Sequence, residues 1–207
     1  ALRLSKSDIY PVPLYPGDIA VERERTFDAA IGWTLPPGET IRETTADYEV
    51  PYQVNAQGFR SRHDFAAPST AKRIAFLGDS FTFGSGVREE ETFVELVGRE
   101  LGGSPSEREL EGSVDESELA GAQPSVVQAL NYGLGGFGID QMMLTLEQRA
   151  LPWRADLVVL SFIRQDLDRS LSSYRQGHVW LEKPAFHLEN GALVRTTLAN
   201  RPGPVAS

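Results

Sequence analysis

The feature that most constrains this chain is the stretch 73–84, an apolar run that ends abruptly in a turn of small residues carrying a serine. The run Ile74-Ala75-Phe76-Leu77 is followed directly by Gly78, a pattern that predicts a buried strand ending at a tight turn. A parallel sheet places its functional groups at the carboxyl ends of such strands. The stretch therefore predicts that Ser80 stands where a nucleophile would be presented.

Two further apolar runs follow in the order that a parallel sheet requires. Residues 126–131 and 157–162 predict the second and third strands, and helical spacing predicts helices over 90–101 and 139–149. Strands that alternate with helices indicate a right-handed parallel sheet. Every candidate motif then falls on the same carboxyl edge of that sheet.

Smaller β-structures are predicted on both sides of this core. In the segment before the first predicted strand, which we call the lead-in, we interpret Trp33, Tyr52 and Phe59 as residues that pack on the main sheet. We favour this interpretation over one in which the three rings form a platform that stacks on carbohydrate. Near the other end, Asn190-Gly191 between apolar segments is a strong signal for a two-residue hairpin turn.

These patterns divide the chain into three parts. Residues 1–70 form an N-terminal arm and a β-rich lead-in, residues 71–170 form the α/β core, and residues 171–207 form a hairpin and tail. Within the core, residues 102–125 are acidic and poor in apolar side chains. We interpret them as a mobile surface insertion.

Gly78-Asp79-Ser80 after a short hydrophobic strand resembles the first sequence block of the SGNH/GDSL family of serine hydrolases. The stretches 131–141 and 163–168 are similar to the second and third blocks, in the right order. The segment 32–60 begins with Gly32-Trp33 and Pro37-Gly38 and ends with Asn55 and Gly58-Phe59-Arg60. This order resembles the segment that precedes the first block in a subgroup of bacterial members. The resemblance implies a three-layer, flavodoxin-like core and esterase or acyltransferase activity.

The resemblance also implies three donors to the oxyanion that forms during acyl transfer. In the family, these are the backbone N–H of the serine, the backbone N–H of a glycine after the second strand, and an asparagine side chain after the third. The matching positions here are Ser80, Gly136 and Gln165. Glutamine keeps the amide but adds a methylene, and a donor displaced by about 1 Å can cost on the order of a hundredfold in rate.

The resemblance does not extend to the general base, for which this sequence has no matching block. The family supplies its histidine and acid from a late Asp-x-x-His, and none of His63, His178 and His187 has an aspartate three residues before it. We interpret all three histidines as surface or structural residues. Two explanations stay open: the 207 residues are an amino-terminal portion of a longer enzyme, or the chain kept the scaffold and lost the chemistry.

Two weaker motifs point to other ligands. Gly133-x-Gly135-x-x-Gly138 matches the dinucleotide fingerprint, but the acidic residue that should end the next strand about 20 residues on is missing. Asp166-Leu167-Asp168 has the composition of a metal-binding pair, although helix starts attract aspartate for capping alone. We therefore expect no cofactor and no metal, and we expect Asp79 to shape its turn.

Composition excludes several classes of partner. A formal net charge of -9 disfavours nucleic acid and anionic lipid surfaces, since both would be repelled. The absence of cysteine excludes disulfides and thiolate metal sites but leaves the compartment open. No apolar run approaches the roughly 18 to 20 residues that a membrane-spanning helix needs.

Two hypotheses of function follow. The first is a serine esterase or acyltransferase that acts through Ser80 on an acyl ester of a polysaccharide or lipid. The second is a non-catalytic SGNH-like subunit that binds or stabilises other proteins of a larger, membrane-associated complex. In either case the resemblance suggests an extracytoplasmic location. A sheet of three strands is short for this fold, and its missing edge could be completed by the hairpin, by further residues or by another polypeptide.

Overall fold

A computed structural model of the protein describes residues 25–65, 71–102, 127–172, 174–175, 181–196 and 198. The strands of this part of the chain are β1 (Thr26–Asp28), β2 (Gly32–Thr34), β3 (Thr40–Thr44), β4 (Glu49–Gln53), β5 (Lys72–Leu77), β6 (Val127–Asn131), β7 (Leu157–Leu160), β8 (Tyr174–Arg175), β9 (Leu181–Glu182), β10 (Phe186–Glu189) and β11 (Ala192–Arg195). The helices are α1 (Ser80–Phe83), α2 (Phe93–Gly102), α3 (Ile139–Thr145) and α4 (Arg164–Arg169), with 3₁₀ turns at Glu89–Glu91 and Leu151–Trp153 and a π-helical turn at Leu146–Ala150.

The central sheet consists of β5, β6 and β7, which are parallel and lie in the order β6-β5-β7. Phe76 lies opposite Asn131 and Leu77 lies opposite Leu160, so the three carboxyl ends meet at one edge. The predicted parallel sheet is thereby confirmed. Its strand order reverses at β5, and open α/β sheets bind ligands outside the carboxyl ends at such a reversal. The crevice beside the tip of β5 is therefore where the fold favours a site.

Alternate side chains of β5 belong to two different hydrophobic clusters. The larger cluster contains Ala75 and Leu77 together with Met142 of α3. The smaller cluster contains Ile74 and Phe76 together with Val94 of α2. A strand covered on both faces needs apolar residues at every position, which explains the uninterrupted run seen in the sequence.

The lead-in packs its aromatic side chains against this sheet. Trp33, Tyr52 and Phe59 are completely buried and share the larger cluster with Leu77. The ring of Trp33 also meets Phe137 edge-on, with 5.3 Å between centroids. The packing interpretation is confirmed, and a carbohydrate-stacking platform is excluded because none of these three ring faces is open to a ligand.

The predicted hairpin is present. Strands β10 and β11 are antiparallel, and Glu189 pairs with Ala192 across a two-residue turn. The turn residues Asn190 and Gly191 have φ values of 51° and 81°. Both values are positive, as the favoured hairpin turns with Asn-Gly require.

Two helix predictions need correction. The acidic residues Glu89–Glu91 form a separate 3₁₀ turn, and α2 begins only at Phe93. The reason is Thr92, whose Oγ1 accepts a hydrogen bond from the N–H of Glu95 at 3.2 Å and so caps the helix there. The helix predicted over 139–149 divides into α3 and the π-helical turn that follows it.

Several predictions fall outside the described residues. These are the arm before residue 25, the insertion beyond Gly102, His178 and the tail after residue 198. The three-part division of the chain stays a prediction. In the part of the chain that the structure describes, no helix combines the length and apolar character needed to cross a bilayer.

Candidate active site

Ser80 is presented at the tip of the central strand. β5 ends at Leu77, and Ser80 is the first residue of the short helix α1. Gly78 lies between them, and a larger residue would not fit there because its Cβ would lie 2.8 Å from the Ser161 carbonyl oxygen and 2.6 Å from the Thr82 Cβ. Asp79 caps α1, since its Oδ1 accepts a hydrogen bond from the Phe81 N–H at 3.0 Å. The expectation that Asp79 shapes this turn is confirmed.

The glycine-rich turn after β6 lies against the Ser80 helix. The Leu134 N–H donates to the Gly78 carbonyl at 3.1 Å, and Asn131 Nδ2 donates to the Thr82 carbonyl at 3.0 Å. A Cβ at Gly135 would lie 4.0 Å from the Cβ of Ser80. The structure therefore brings Ser80 together with the turn that carries Gly136.

Gly136, the predicted second donor, is buried and adopts the left-handed conformation, with φ of 80°. A side chain at its neighbour Gly135 would be in ordinary van der Waals contact with Ser80. Gly133 and Gly138 are accounted for by packing, since a Cβ at Gly133 would lie 2.9 Å from that of Thr82 and one at Gly138 would lie 3.0 Å from the Ser170 nitrogen. These contacts explain two glycines of the apparent dinucleotide fingerprint without a nucleotide.

Gln165, the predicted third donor, lies in the first turn of α4, beyond the tip of β7. Its side chain is exposed, and we find no hydrogen bond to its amide within the described residues. The next residue, Asp166, is completely buried. The structure thus puts Gln165 at the same sheet edge as Ser80 but leaves its side chain in solvent.

A buried network of charged side chains joins the segments that follow β5, β6 and β7, which we call the three tips. Sequence reasoning did not predict this network. Arg169 Nη1 lies 3.3 Å from Asp79 Oδ2, bonds Asp166 Oδ1, and donates to the Phe137 carbonyl at 3.5 Å. The Asp166 carboxylate also accepts a hydrogen bond from the Ile163 N–H at 2.9 Å. Asp166 is therefore used for capping and ion pairing, which was the alternative to a metal-binding pair. The spacing of Asp166 and Arg169 fits one helix face, but no local pattern indicates Asp79 as a partner.

Burial raises the pKa of Asp166 above its ordinary value, and the nearby Asp79 carboxylate raises it further. The hydrogen bond from Ile163 and the charge of Arg169 oppose this rise by stabilising the ionised form. Arg169 is thus the positive charge that permits two carboxylates to be buried side by side.

A second buried arginine ties the lead-in to the far end of α1. Arg60 Nη1 donates to the carbonyls of Phe83 at 2.9 Å and Gly84 at 2.6 Å, and Nη2 donates to that of Val87 at 2.7 Å. Its guanidinium stacks over the Tyr52 ring, 4.3 Å from the centroid. The helix that begins with Ser80 is therefore held at its amino end by Asp79 and at its carboxyl end by Arg60.

The two described histidines do not complete a catalytic pair. His63 is exposed in the lead-in, and His187 is exposed in the hairpin, where its Nε2 lies 3.9 Å from Glu189. We find no hydrogen bond between either imidazole and the Ser80 hydroxyl. Among the described residues, no cluster of three or more His, Asp or Glu side chains is arranged to hold a metal ion.

Comparison of the chain with models of known protein families finds no match. A search of curated proteins finds no match either.

Proposed function

We propose that the chain is an SGNH-type serine hydrolase or acyltransferase domain in which Ser80 is the nucleophile. The observation that carries the proposal is the position of Ser80. It is half-buried at the carboxyl tip of the central strand, where the strand order reverses, and it lies against the Gly135-Gly136 turn of the neighbouring strand.

This arrangement suits acyl transfer. The Ser80 Oγ would attack the carbonyl carbon of an ester, and the backbone N–H groups of Ser80 and Gly136 would donate to the oxyanion that develops. The hydroxyl proton would pass to a general base from outside the recognised motifs of this chain, and that base would return the proton to the alcohol as the ester bond breaks. Water or an acceptor hydroxyl then takes the acyl group from Ser80. Gln165 would serve as the third donor once its exposed side chain turns inward.

The substrate and the location belong to the same proposal. An acyl ester of a polysaccharide or lipid and an extracytoplasmic site of action follow from the family resemblance. The net charge of -9 supports a substrate that is not itself strongly anionic.

Labelling with a fluorophosphonate probe tests the proposal. The probe should modify the wild-type protein and leave Ser80→Ala unmodified. Ser85→Ala is the matched control, because Ser85 is an exposed serine that follows the same short helix. We expect Ser85→Ala to be labelled as the wild type is. Labelling that persists in Ser80→Ala would contradict the assignment of the nucleophile.

A second function is favoured by two observations. Within the described residues, neither histidine reaches Ser80, and the edge strand β7 leaves Leu157 and Leu160 exposed at 55% and 37%. We propose as the alternative a non-catalytic SGNH-like subunit that binds or stabilises partner proteins. In that case the wild type, Ser80→Ala and Ser85→Ala would all remain unlabelled and would hydrolyse no ester.

A further inference from the structure

The three partners of the Arg169 guanidinium have a common property. Asp79 immediately precedes Ser80, Phe137 immediately follows Gly136, and Asp166 immediately follows Gln165. Arg169 Nη1 lies within 3.5 Å of a polar atom of each partner. One guanidinium nitrogen thus contacts a sequence neighbour of each of the three predicted oxyanion donors.

The contacts are shielded from water, so a partner that is removed leaves the others buried without a replacement. The side chains of Asp79 and Asp166 are 2% and 0% exposed, and that of Arg169 is 16% exposed. Two carboxylates at such positions repel each other unless a positive charge lies between them. Loss of the guanidinium would therefore push the tips of β5 and β7 apart.

Asp79 transmits this contact to the nucleophile. Its Oδ2 faces Arg169, while its Oδ1 caps α1 through the Phe81 N–H. The orientation of the amino end of α1, where Ser80 lies, is thus coupled to the position of Arg169. The backbone of Arg169 is itself anchored, because Lys183 Nζ donates to its carbonyl at 2.7 Å.

We propose that Arg169 is a positioning residue that sets the relative geometry of the Ser80, Gly136 and Gln165 donors. The catalytic meaning of this inference rests on the proposed function. Its structural content, that one side chain holds three loop tips together, does not. All three contacts are made by Nη1, whose two N–H bonds are shared among the Asp166, Asp79 and Phe137 oxygens. The planar guanidinium fixes the direction of these N–H bonds, whereas the ammonium of a lysine rotates freely at the end of a differently shaped side chain.

The test compares Arg169→Lys and Arg169→Gln with Arg149→Gln. Arg149 is the matched control, since it is a partly buried arginine that pairs with Asp28, outside the three tips. Three quantities are measured: the rate constant for fluorophosphonate labelling, the urea unfolding midpoint, and amide hydrogen exchange over 78–81, 133–138 and 163–167. Arg169→Lys keeps the positive charge, so it remains informative if Arg169→Gln does not fold.

We expect labelling of Arg169→Lys to slow by roughly 10- to 100-fold, the range for donors displaced by up to about 1 Å. Its unfolding midpoint should stay close to that of Arg149→Gln. Exchange should quicken at all three tips together in the Arg169 variants, and at none of them in the control.

The inference is overturned if exchange quickens in α4 alone, or if Arg169→Lys is labelled as fast as Arg149→Gln. A wild-type protein that is not labelled at all would contradict the proposed function separately. Exchange at the three tips would then still decide whether Arg169 holds them together.

Discussion

At the scale of single residues, Asp166 shows how the site depends on charge balance. Its carboxylate is completely buried beside that of Asp79, and burial raises its pKa. The hydrogen bond from Ile163 and the guanidinium of Arg169 counteract this rise. Arg169 is thus one of two groups that favour the ionised form of Asp166.

We predict that the destabilisation caused by Arg169→Gln depends on pH. Removal of the guanidinium raises the pKa of Asp166 further above its ordinary 3.8. A carboxyl whose folded-state pKa is raised adds stability that is complete below the unfolded pKa and is lost as the pH rises through the folded pKa. At pH 7 the variant should be less stable than the wild type by about 3 kcal/mol, and the difference should shrink towards pH 4.

Urea unfolding of both proteins at pH 7 and at pH 4.5 measures this difference. A loss of stability that is equal at the two pH values would show that the protonation of Asp166 is not coupled to Arg169.

The residues of the site differ in how far sequence could predict them. Asp79 could be assigned to its turn because a helix cap acts on an N–H two residues away. The bond from Arg169 to Asp79 spans 90 positions, so no local spacing indicates it. The predicted donors Ser80 and Gly136 lie on adjacent turns, whereas the exposed side chain of Gln165 could not be foreseen from its place after β7.

At the scale of elements, α1 is a very short helix that depends on its surroundings. It has four residues, too few to be stable alone. Its carboxyl end is bound by Arg60, and the same arginine stacks on Tyr52 of β4. The lead-in thereby supports the helix that carries the predicted nucleophile.

We predict that Arg60→Met destabilises the protein by about 2–4 kcal/mol, because buried carbonyls lose their donors. Arg42→Met is the control: its ion pair with Glu49 is exposed and should contribute less than about 1 kcal/mol. Urea unfolding gives both values, and hydrogen exchange over 83–87 should quicken only in the Arg60 variant. Equal losses of stability in the two variants would contradict the bracing role of Arg60.

Elements that depend on local sequence could be predicted, whereas the residues at which elements begin were harder to predict. The Asn190-Gly191 hairpin depends on the backbone preferences of two residues, and it was predicted correctly. The predicted start of α2 at residue 90 lies three residues before the observed start at Phe93, because helical spacing alone does not locate a helix start. The pattern Thr92-x-x-Glu95 is a capping signal that could have corrected this.

At the scale of the whole molecule, the lead-in and the central sheet share one large hydrophobic cluster. This cluster fixes the carboxyl edge on which the site lies. By contrast, β7 is an edge strand of the sheet, and its leucines are exposed to solvent instead of being buried in this cluster. Three parallel strands could be predicted because 74–77 and 157–160 are continuous apolar runs, and 126–130 is apolar except at Gln128. The sequence could not show how the loops beyond them meet, because that depends on the bonds of Arg60 and Arg169 across distant segments.

The most direct test of the central claim is a crystal structure of the protein after reaction with a fluorophosphonate. We predict a covalent bond from the probe phosphorus to the Ser80 Oγ. The phosphonyl oxygen should lie about 2.7–3.1 Å from the backbone nitrogens of Ser80 and Gly136. Contradictory results would be an adduct on another residue, or an adduct on Ser80 whose phosphonyl oxygen points away from Gly136.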